Sequence, residues 1–281
     1  MSEPIQIDWH ERHPAPAGWR NGHAAVASIS FDVDAETPLL AEGEKYATHL
    51  STMSHQAYGP RVGVPRILEL LERIGLRTTF FMPGATAERW PRAVEEILAA
   101  GQEIALHSYE HIQLIRLDAD AQRADLERGL AALERFGVKP TGYRAPMWQQ
   151  TRVTLDLLPQ YGIRYDSSLM DDDRPYLVGP DRNLAELPVH WSLDDWEQYA
   201  YVPEPDIGHA IELPEKVLKL WTGELEAMRS TGSLCMICCH PFLTGRPSRL
   251  RNVERFAEFA RELGDVELLP CGEIAERVLA G

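Results

Sequence analysis

The sequence has little positive charge for its length and no long hydrophobic run. Its 281 residues carry 28 Lys plus Arg against 43 Asp plus Glu, which gives a formal net charge of −15. A balance this acidic argues against binding nucleic acid or an anionic membrane surface through bulk charge. No segment approaches the length of a membrane span, and the N-terminus lacks an apolar core of signal-peptide length. We therefore expect a cytoplasmic protein that binds neither nucleic acid nor membrane, with a neutral or cationic substrate as the easier partner.

Cysteine is scarce as well. The four cysteines suit a reducing compartment, and two of them, Cys235 and Cys238, form a C-x-x-C that could indicate a metal or redox site. This pair lies inside the apolar run SLCMICCHP, and no helix follows directly that would activate a thiolate. We interpret the cysteines as buried thiols in a strand.

Short apolar runs alternate with longer amphipathic runs along the chain. The apolar runs predict eight strands, over residues 24–31, 77–83, 102–108, 140–146, 163–169, 185–191, 233–241 and 266–271. Six helical patterns between them end at Gly75, Gly101, Gly137, Gly162, Gly232 and Gly264. This alternation implies βαβ units and a parallel α/β sheet, closed or nearly closed into a barrel. An open doubly wound sheet is the competitor, although no G-x-G-x-x-G follows the first strand.

The chain is predicted to be a single domain, because it contains no low-complexity linker and no shift in composition. Residues 1–23 are expected to form an N-terminal extension that packs on the barrel of residues 24–281. Two segments exceed ordinary loop length, residues 35–61 and residues 170–183, and loops that long tend to be functional.

Polar side chains concentrate where the predicted strands end. The first strand ends in SFDVDAE, and alternation along a strand would point Asp32, Asp34 and Glu36 the same way. The other predicted strand ends carry His107, Arg144, Asp166, His190 and His240. In a parallel α/β barrel these ends converge on one face, where catalytic groups lie. The sequence therefore predicts an active site there, with Glu36 as a solvated loop residue.

The stretch HSYEH indicates a metal site. If a helical turn begins there, His107 and His111 share one face and can reach one cation. Asp34 would complete a set of two histidines and one carboxylate, with coordination positions open for water and substrate. The same set also suits non-haem iron oxygenases, but those ligands usually come as a close H-x-D/E pair on a different fold. One divalent metal ion is expected, and zinc is the expected identity.

Five motifs, taken together and in order, resemble the polysaccharide deacetylase superfamily, also called the NodB-homology or carbohydrate esterase family 4 fold. They are SFDVDAE, HSYEH, YRAPMW, LDDW at 193–196 and ICCHP at 237–241. The resemblance covers about residues 24–275 and is strongest to a branch with peptidoglycan deacetylase-like, allantoinase-like and cyclic imide hydrolase-like members. It implies a single-domain, distorted (β/α)7-type barrel that is a homo-oligomer. In the first motif Val33 separates two aspartates that are adjacent in many secreted relatives.

The resemblance also implies roles for the motif residues. It implies Asp34, His107 and His111 as metal ligands, Asp32 as the catalytic base, Arg144 as its partner and His240 as the general acid. Met147 stands where a backbone N–H helps to bind the oxyanion in relatives. Asp166 or Asp195 could hold His240 in the required tautomer, and both are also candidates for substrate binding.

Three tryptophans stand close to these motifs. Trp148 and Trp196 follow polar motif residues and could form a substrate platform, whereas Trp191 is expected in the core.

Two activities stay open at this point. The first is metal-dependent hydrolysis of a non-peptide C–N bond, most simply N-deacetylation of an N-acetylated amino sugar. The second keeps the scaffold but acts on a small cyclic ureide or imide, without a requirement for a tightly bound metal. The absence of a signal peptide favours the second, whereas the histidine pair favours the first. The substrate is thus expected to be a saccharide or another small molecule.

Overall fold

The computed structural model describes residues 15–179 and 181–281. Most of the predicted N-terminal extension, residues 1–14, lies outside the described residues. Within the described remainder, Trp19 is buried in a cluster with Val26 of the first strand and Leu234 near the C-terminus.

The described residues form eleven strands, nine of them in one curled sheet. The strands are β1 Ala25–Asp32, β2 Thr79–Met82, β3 Glu103–Leu106, β4 Gly142–Tyr143, β5 Tyr165–Asp166, β6 Tyr176–Val178, β7 Leu184–Glu186, β8 Tyr201–Val202, β9 Gly208–His209, β10 Leu234–Cys239 and β11 Val266–Leu268. Their order in the sheet is β10-β1-β2-β3-β4-β5-β7-β6, and β11 also pairs with β1. Within this sheet only β6 and β7 are antiparallel.

Twelve α-helices of the described residues connect or flank these strands. They are α1 Thr37–Ala41, α2 Leu50–Tyr58, α3 Val64–Ile74, α4 Gly84–Arg89, α5 Pro91–Ala99, α6 Ala119–Glu134, α7 Arg152–Leu157, α8 Trp196–Tyr199, α9 Pro214–Thr231, α10 Pro241–Thr244, α11 Pro247–Glu262 and α12 Cys271–Ala280. The six glycines predicted to end helices all have positive φ, between 59° and 82°. Glycine adopts the left-handed conformation that ends a helix without the steric penalty of a Cβ atom, so the positions of these glycines determine where the helices end.

The first strand is covered on both faces and pairs with three other strands. All eight residues of β1 are buried, as expected for a parallel strand covered on both sides. It pairs with β10 on one side and with β2 on the other. The ends of these three strands therefore lie next to each other at the carboxyl edge of the sheet.

The predicted fold is confirmed as a single-domain, distorted and incomplete (β/α) barrel, and all eight predicted strands are present. The prediction missed β6, which lies in the segment 170–183 that was expected to be a loop, and the hairpin of β8 and β9. These short strands stand beside Asp- and Pro-rich stretches, DDDRP before β6 and PEPD between β8 and β9, whose composition is typical of loops. The other predicted loop, residues 35–61, contains α1 and α2. None of the helices in the described part of the chain has the length and apolar character that crossing a membrane requires.

Candidate active site

The carboxyl ends of β1, β3 and β10 enclose a small pocket of about 40 Å³. It is lined by acidic, imidazole and aromatic side chains, namely Asp32, Asp34, His107, His111, Met147, Trp148, Trp191, Asp194, Trp196, Glu197 and His240. The predicted convergence of polar strand ends on one face is therefore present in the structure.

The chain leaves β1 in a tight turn that directs Asp34 into the pocket. The backbone carbonyl of Asp34 accepts hydrogen bonds from the hydroxyls of Thr37 and Thr86, both at 2.7 Å. Ala35 follows with a φ of 52°, which turns the backbone away from the strand direction. These contacts fix the backbone of Asp34, so that its buried carboxylate faces the histidines.

Asp34, His107 and His111 form a group that could hold a metal ion. Their candidate ligand atoms all lie within 4.8 Å of one another. Asp34 Oδ1 is 3.5 Å from His107 Nε2, and Asp34 Oδ2 is 3.5 Å from His111 Nε2. Oδ1 is buried without a hydrogen-bond partner in the described structure, a costly arrangement that a cation would relieve. The residues present thus fit a divalent ion.

The two histidines are oriented for metal binding by the backbone around them. His107 Nδ1 donates to the carbonyl of Arg144 at 2.7 Å, which leaves Nε2 as the free lone pair facing Asp34. Burial is the main cause that lowers the pKa of His111 to about 4, so this imidazole is neutral and able to act as a ligand. Both nitrogens therefore present lone pairs to the same space.

The helical turn predicted for HSYEH is not present. Ser108 and His111 instead adopt left-handed backbone conformations, each with a φ of 60°. Asp125 on α6 holds this irregular loop by accepting the backbone N–H of Tyr109 at 3.1 Å. The loop still brings the two imidazoles together, with ring centroids 4.9 Å apart.

Asp32 and Arg144 form a fully buried ion pair next to this group. Arg144 Nη1 donates to Asp32 Oδ1 at 2.6 Å. Burial alone would raise the pKa of Asp32, but Arg144, His107 and His240 together lower it below its ordinary value. Cys238 reaches Asp32 Oδ2 at 3.4 Å. The carboxylate is therefore ionised and held in place.

His240, at the end of β10, is held by a carboxylate behind it. Asp195 Oδ1 accepts the backbone N–H of His240 at 2.9 Å and its Nδ1–H at 2.7 Å. Burial opposes the charged imidazole, yet Asp194 and Asp195 raise the pKa of His240 to about 10. The ring is therefore protonated at neutral pH. Its Nε2 lies 3.5 Å from Asp34 Oδ2, inside the pocket.

Sequence reasoning did not assign Asp194, although LDDW contains it. Asp194 lines the pocket and lies 3.5 Å from His240 Nδ1. Burial is the main cause that raises its pKa to about 8. The only sequence signal for Asp194 was the pair of adjacent aspartates before a tryptophan. Nothing in the sequence distinguished Asp194, which lines the pocket, from Asp195, which bonds to His240.

Asp166 and Asp195 were candidates for substrate binding, and neither is among the residues that line the pocket. Both are fully buried. Asp195 contacts His240 as described, and the hydroxyl of Thr244 donates to its other oxygen. Asp166 accepts a hydrogen bond from Gln150 Nε2 at 2.8 Å, and Gln150 does not line the pocket either. In this structure neither side chain has surface to offer a substrate.

The tryptophans are arranged differently from the expectation. Trp191, expected in the core, is 53% exposed and stands at the rim of the pocket. Trp148 and Trp196 are largely buried but still line the pocket. His190, at another predicted strand end, is exposed and bonds to Ser192 instead of joining the site.

The solvated position predicted for Glu36 is wrong. Its carboxylate is buried and accepts from Arg89 Nε at 3.1 Å and from Trp90 Nε1 at 2.8 Å. These contacts tie the segment after β1 to the junction of α4 and α5. The sequence signal was weak, because an Arg-Trp pair some fifty residues away gives no hint of its partner.

The cysteines are as predicted. All four are free and buried, and burial raises the pKa of Cys235 far above its ordinary value and that of Cys271 to about 11. Thiols of this kind are neutral and unreactive, which removes the redox interpretation of the C-x-x-C.

Comparison with known proteins identifies the family. Residues 57–165 match the family model for polysaccharide deacetylase. A Mycobacterium smegmatis protein assigned to the polysaccharide deacetylases has a solved structure with a TM-score of 0.92 and 46% identity, over 96% of this chain and 95% of that one. The Helicobacter pylori peptidoglycan deacetylase is 25% identical over 81% of this chain and 87% of its own length. A peptidoglycan deacetylase-like protein of Gibberella zeae is 26% identical over 89% and 85%.

The chain belongs to the polysaccharide deacetylase family, and its fold is the one that the motifs predicted. It is a hydrolase of carbon–nitrogen bonds other than peptide bonds. The Puue allantoinase has the same fold, with a TM-score of 0.80 at 22% identity over 96% of this chain and 94% of that one.

Proposed function

We propose that the protein is a metal-dependent N-deacetylase that removes the acetyl group from an N-acetylated amino sugar. The observation that carries this proposal is the composition of one small pocket. It contains a group suited to a cation, a buried ionised carboxylate and a buried charged imidazole. Amide hydrolysis at neutral pH needs these three functions together.

Asp34, His107 and His111 would hold the cation, with zinc as the expected ion because one carboxylate and two imidazoles suit it. When bound, such an ion supplies Lewis-acid polarisation of the amide carbonyl and lowers the pKa of a water.

The other residues act on protons. Asp32, kept ionised by Arg144, accepts a proton from the attacking water. His240, kept protonated by the carboxylates beside it, donates a proton to the departing nitrogen. Asp195 fixes the ring so that Nε2 carries this proton into the pocket.

The size of the pocket favours an acetamido group over a whole ring. A cavity of about 40 Å³ holds a few atoms, whereas ligand pockets for complete small molecules are roughly 300 Å³ or larger. Exposed Trp191 and Met147 stand at the rim and offer an apolar face to a sugar that stays outside. The acetyl group would enter, and the sugar would rest on the rim.

The test is acetate release by zinc-loaded protein from N-acetylglucosamine oligomers and from N-acetylated peptidoglycan fragments. The catalytic variant is Asp32→Asn, and the matched control is His190→Ala, which alters an exposed histidine outside the site. We expect Asp32→Asn to lower kcat by about 10²- to 10⁴-fold and His190→Ala to leave it unchanged.

The competing activity is tested in parallel with allantoin and a cyclic imide, followed by ring opening. Acetate release that depends on Asp32 supports the deacetylase. Ring opening without acetate release would replace it with the cyclic-amide activity. The homo-oligomeric state and the cytoplasmic location stay predictions.

A further inference from the structure

Two buried carboxyl groups lie side by side at the ends of neighbouring strands, away from the pocket. Asp166 ends β5 and Glu186 ends β7, and the two residues are direct partners in the parallel pairing. Both are fully buried. Asp166 Oδ2 and Glu186 Oε2 have no hydrogen-bond donor among the described groups. Two ionised carboxylates could not stay in contact in this way.

We propose that Asp166 and Glu186 share a single proton and position the turn from Arg144 to Gln150, which carries Met147 and Trp148 into the active site. No part of the reaction scheme above uses this pair. As a statement about catalysis, the inference rests on the proposed deacetylase function; as a statement about protonation and structure, it does not.

Asp166 holds both ends of that turn. Its Oδ1 accepts from Gln150 Nε2 at 2.8 Å and from the Ser168 hydroxyl at 3.1 Å. The Ser168 hydroxyl in turn accepts the backbone N–H of Ala145 at 2.9 Å. One carboxyl group therefore connects residue 145 with residue 150.

The turn needs such support because its backbone is strained. Met147 and Trp148 have φ values of 52° and 54°, two consecutive left-handed residues without a glycine. Conformations of this kind persist only where surrounding contacts fix them.

Glu186 holds the segment after β5, which contacts the turn. Its Oε1 accepts the backbone N–H groups of Ser168 and Leu169, each at 2.9 Å. The neighbouring Ser167 accepts from Arg144 through its carbonyl at 3.1 Å and its hydroxyl at 3.0 Å. Through this segment the pair reaches the guanidinium that holds the catalytic carboxylate.

The surroundings supply no charge that could neutralise two carboxylates. The charged and titratable groups of the described structure that face the pair are Arg144 and Tyr143 from β4 and its end, and Tyr176 from β6, whose hydroxyl bonds to Asp171. Arg144 is the single cation among them, and Asp32 already compensates it. Burial and this proximity raise the pKa of Asp166 to about 6 and that of Glu186 far above its ordinary range.

The test compares Glu186→Gln with Glu186→Ala. The glutamine keeps the acceptor for Ser168 and Leu169 and offers an N–H to Asp166 Oδ2, so it imitates the protonated acid without a proton to lose. The alanine removes both functions. Glu42→Gln, which alters a surface carboxylate paired with Arg116, is the control.

The first readouts need no substrate. In infrared difference spectra at neutral pH, wild type minus Glu186→Gln should contain the band of a neutral buried carboxyl group, and wild type minus Glu42→Gln should not. Above the ordinary pKa of a carboxyl group the folded pair still holds a proton that the unfolded chain has lost, so the thermal midpoint of wild type should fall from neutral to alkaline pH more steeply than that of Glu186→Gln. Absence of the neutral carboxyl band, or parallel pH dependence in both proteins, would overturn the shared proton.

The kinetic readout uses acetate release from N-acetylglucosamine oligomers. In Glu186→Ala the turn should be displaced, which should lower kcat roughly 100-fold and leave KM little changed, because the turn positions Met147 and Trp148 beside the reacting atoms. Glu186→Gln should restore kcat at neutral pH and extend activity to higher pH than wild type. If Glu186→Ala is folded and has wild-type kcat and pH profile, the positioning role is wrong. If wild type releases no acetate, the proposed deacetylase function fails, while the spectra still decide the protonation of the pair.

Discussion

Asp32 and Arg144 lie in direct contact at the base of the site, with Oδ1 and Nη1 2.6 Å apart and neither side chain more than 2% exposed. The guanidinium also bonds to Ser30 and Ser167 and stacks on the ring of Phe81 at 3.9 Å. A buried cation with this many partners has one orientation, and so has the carboxylate that it holds.

Replacing Arg144 by lysine should shift the acid limb of the pH–rate profile to higher pH. Arg144 lowers the pKa of Asp32, and lysine cannot reproduce the planar contacts, so Asp32 would take up a proton at higher pH than in wild type. We expect kcat/KM to fall about 100-fold at neutral pH. The matched control is Arg152→Lys, an exposed arginine paired with Asp156. An unshifted acid limb in Arg144→Lys would contradict the role of Asp32 as the base.

Replacing both His107 and His111 by alanine should abolish metal binding. Protein purified without chelator or a metal-affinity column should contain about one equivalent of zinc or a similar ion, and the double variant should contain none. His190→Ala, which removes an exposed histidine, should keep the full content. The measurement is the metal content of the three proteins by elemental analysis. Equal metal in wild type and the double variant would show that the ligands lie elsewhere.

Asp195→Asn should shift the alkaline limb to lower pH. The pKa of His240 is raised to about 10, so the stability this charged ring contributes is complete below its unfolded pKa and is lost as pH rises through about 10. Without the Asp195 carboxylate, both the loss of stability and the loss of the general acid should occur at lower pH. NMR titration of the imidazole and the kcat profile should move together. A shifted titration with an unchanged profile would exclude His240 as the acid.

Glu36→Ala should destabilise the fold although Glu36 has no catalytic role here. The change leaves the Trp90 indole N–H without its acceptor and removes the partner of Arg89, at a cost of about 1–3 kcal/mol. Glu42→Ala, which breaks a more exposed pair with Arg116, should cost about 0–1 kcal/mol. Urea unfolding of both variants gives the comparison. Equal costs would mean that the contacts of Glu36 are no better than a surface pair.

Gly63→Ala should reduce both stability and activity. A Cβ at this position would lie 2.2 Å from the carbonyl oxygen of Pro241, the residue directly after His240, so the end of β10 would have to move. Gly223→Ala is the matched control, because a Cβ at this position, in the middle of α9, meets nothing within 4 Å. Alanine there should increase the free energy of unfolding by about 0.5–1 kcal/mol, because it is a better helix former than glycine. Thermal unfolding and acetate release should separate the two variants clearly. Retention of activity in Gly63→Ala would show that the contact with Pro241 can relax.

The fold could be predicted from the sequence because its main elements are long and periodic. The run that became β1 is buried along its whole length, and each predicted helix stops at a glycine with positive φ, so pattern and backbone chemistry agree. Strand β6 was missed because its three residues lie between DDDRP and GPD, a composition typical of loops. The helical turn expected for HSYEH was wrong because Asp125, distant in sequence, stabilises a different loop.

The site was predictable to the extent that its residues end strands. Asp34 follows β1, and His107 and His111 follow β3, which is separated from β1 only by β2, so the parallel topology places all three residues at the same edge of the sheet. The contacts of the buried residues around the site, in contrast, correspond to no pattern in the sequence. The pairing of Glu186 with Asp166 depends on which strands become neighbours and in which register, and the exposure of Trp191 depends on an irregular loop; no periodicity in the sequence describes either.

The pairing of the central strand has a consequence for how the protein is made. Asp32 and Cys238 are in contact across 206 positions of sequence, because β1 pairs with β10, which is synthesised much later. The three residues suited to a metal have all been synthesised once His111 has been added, whereas His240 comes far later. On the roles proposed above, the sequence supplies every metal ligand well before it supplies the general acid. Hydrolysis therefore requires that β10 has been synthesised and has paired with β1, which brings His240 to the other catalytic residues.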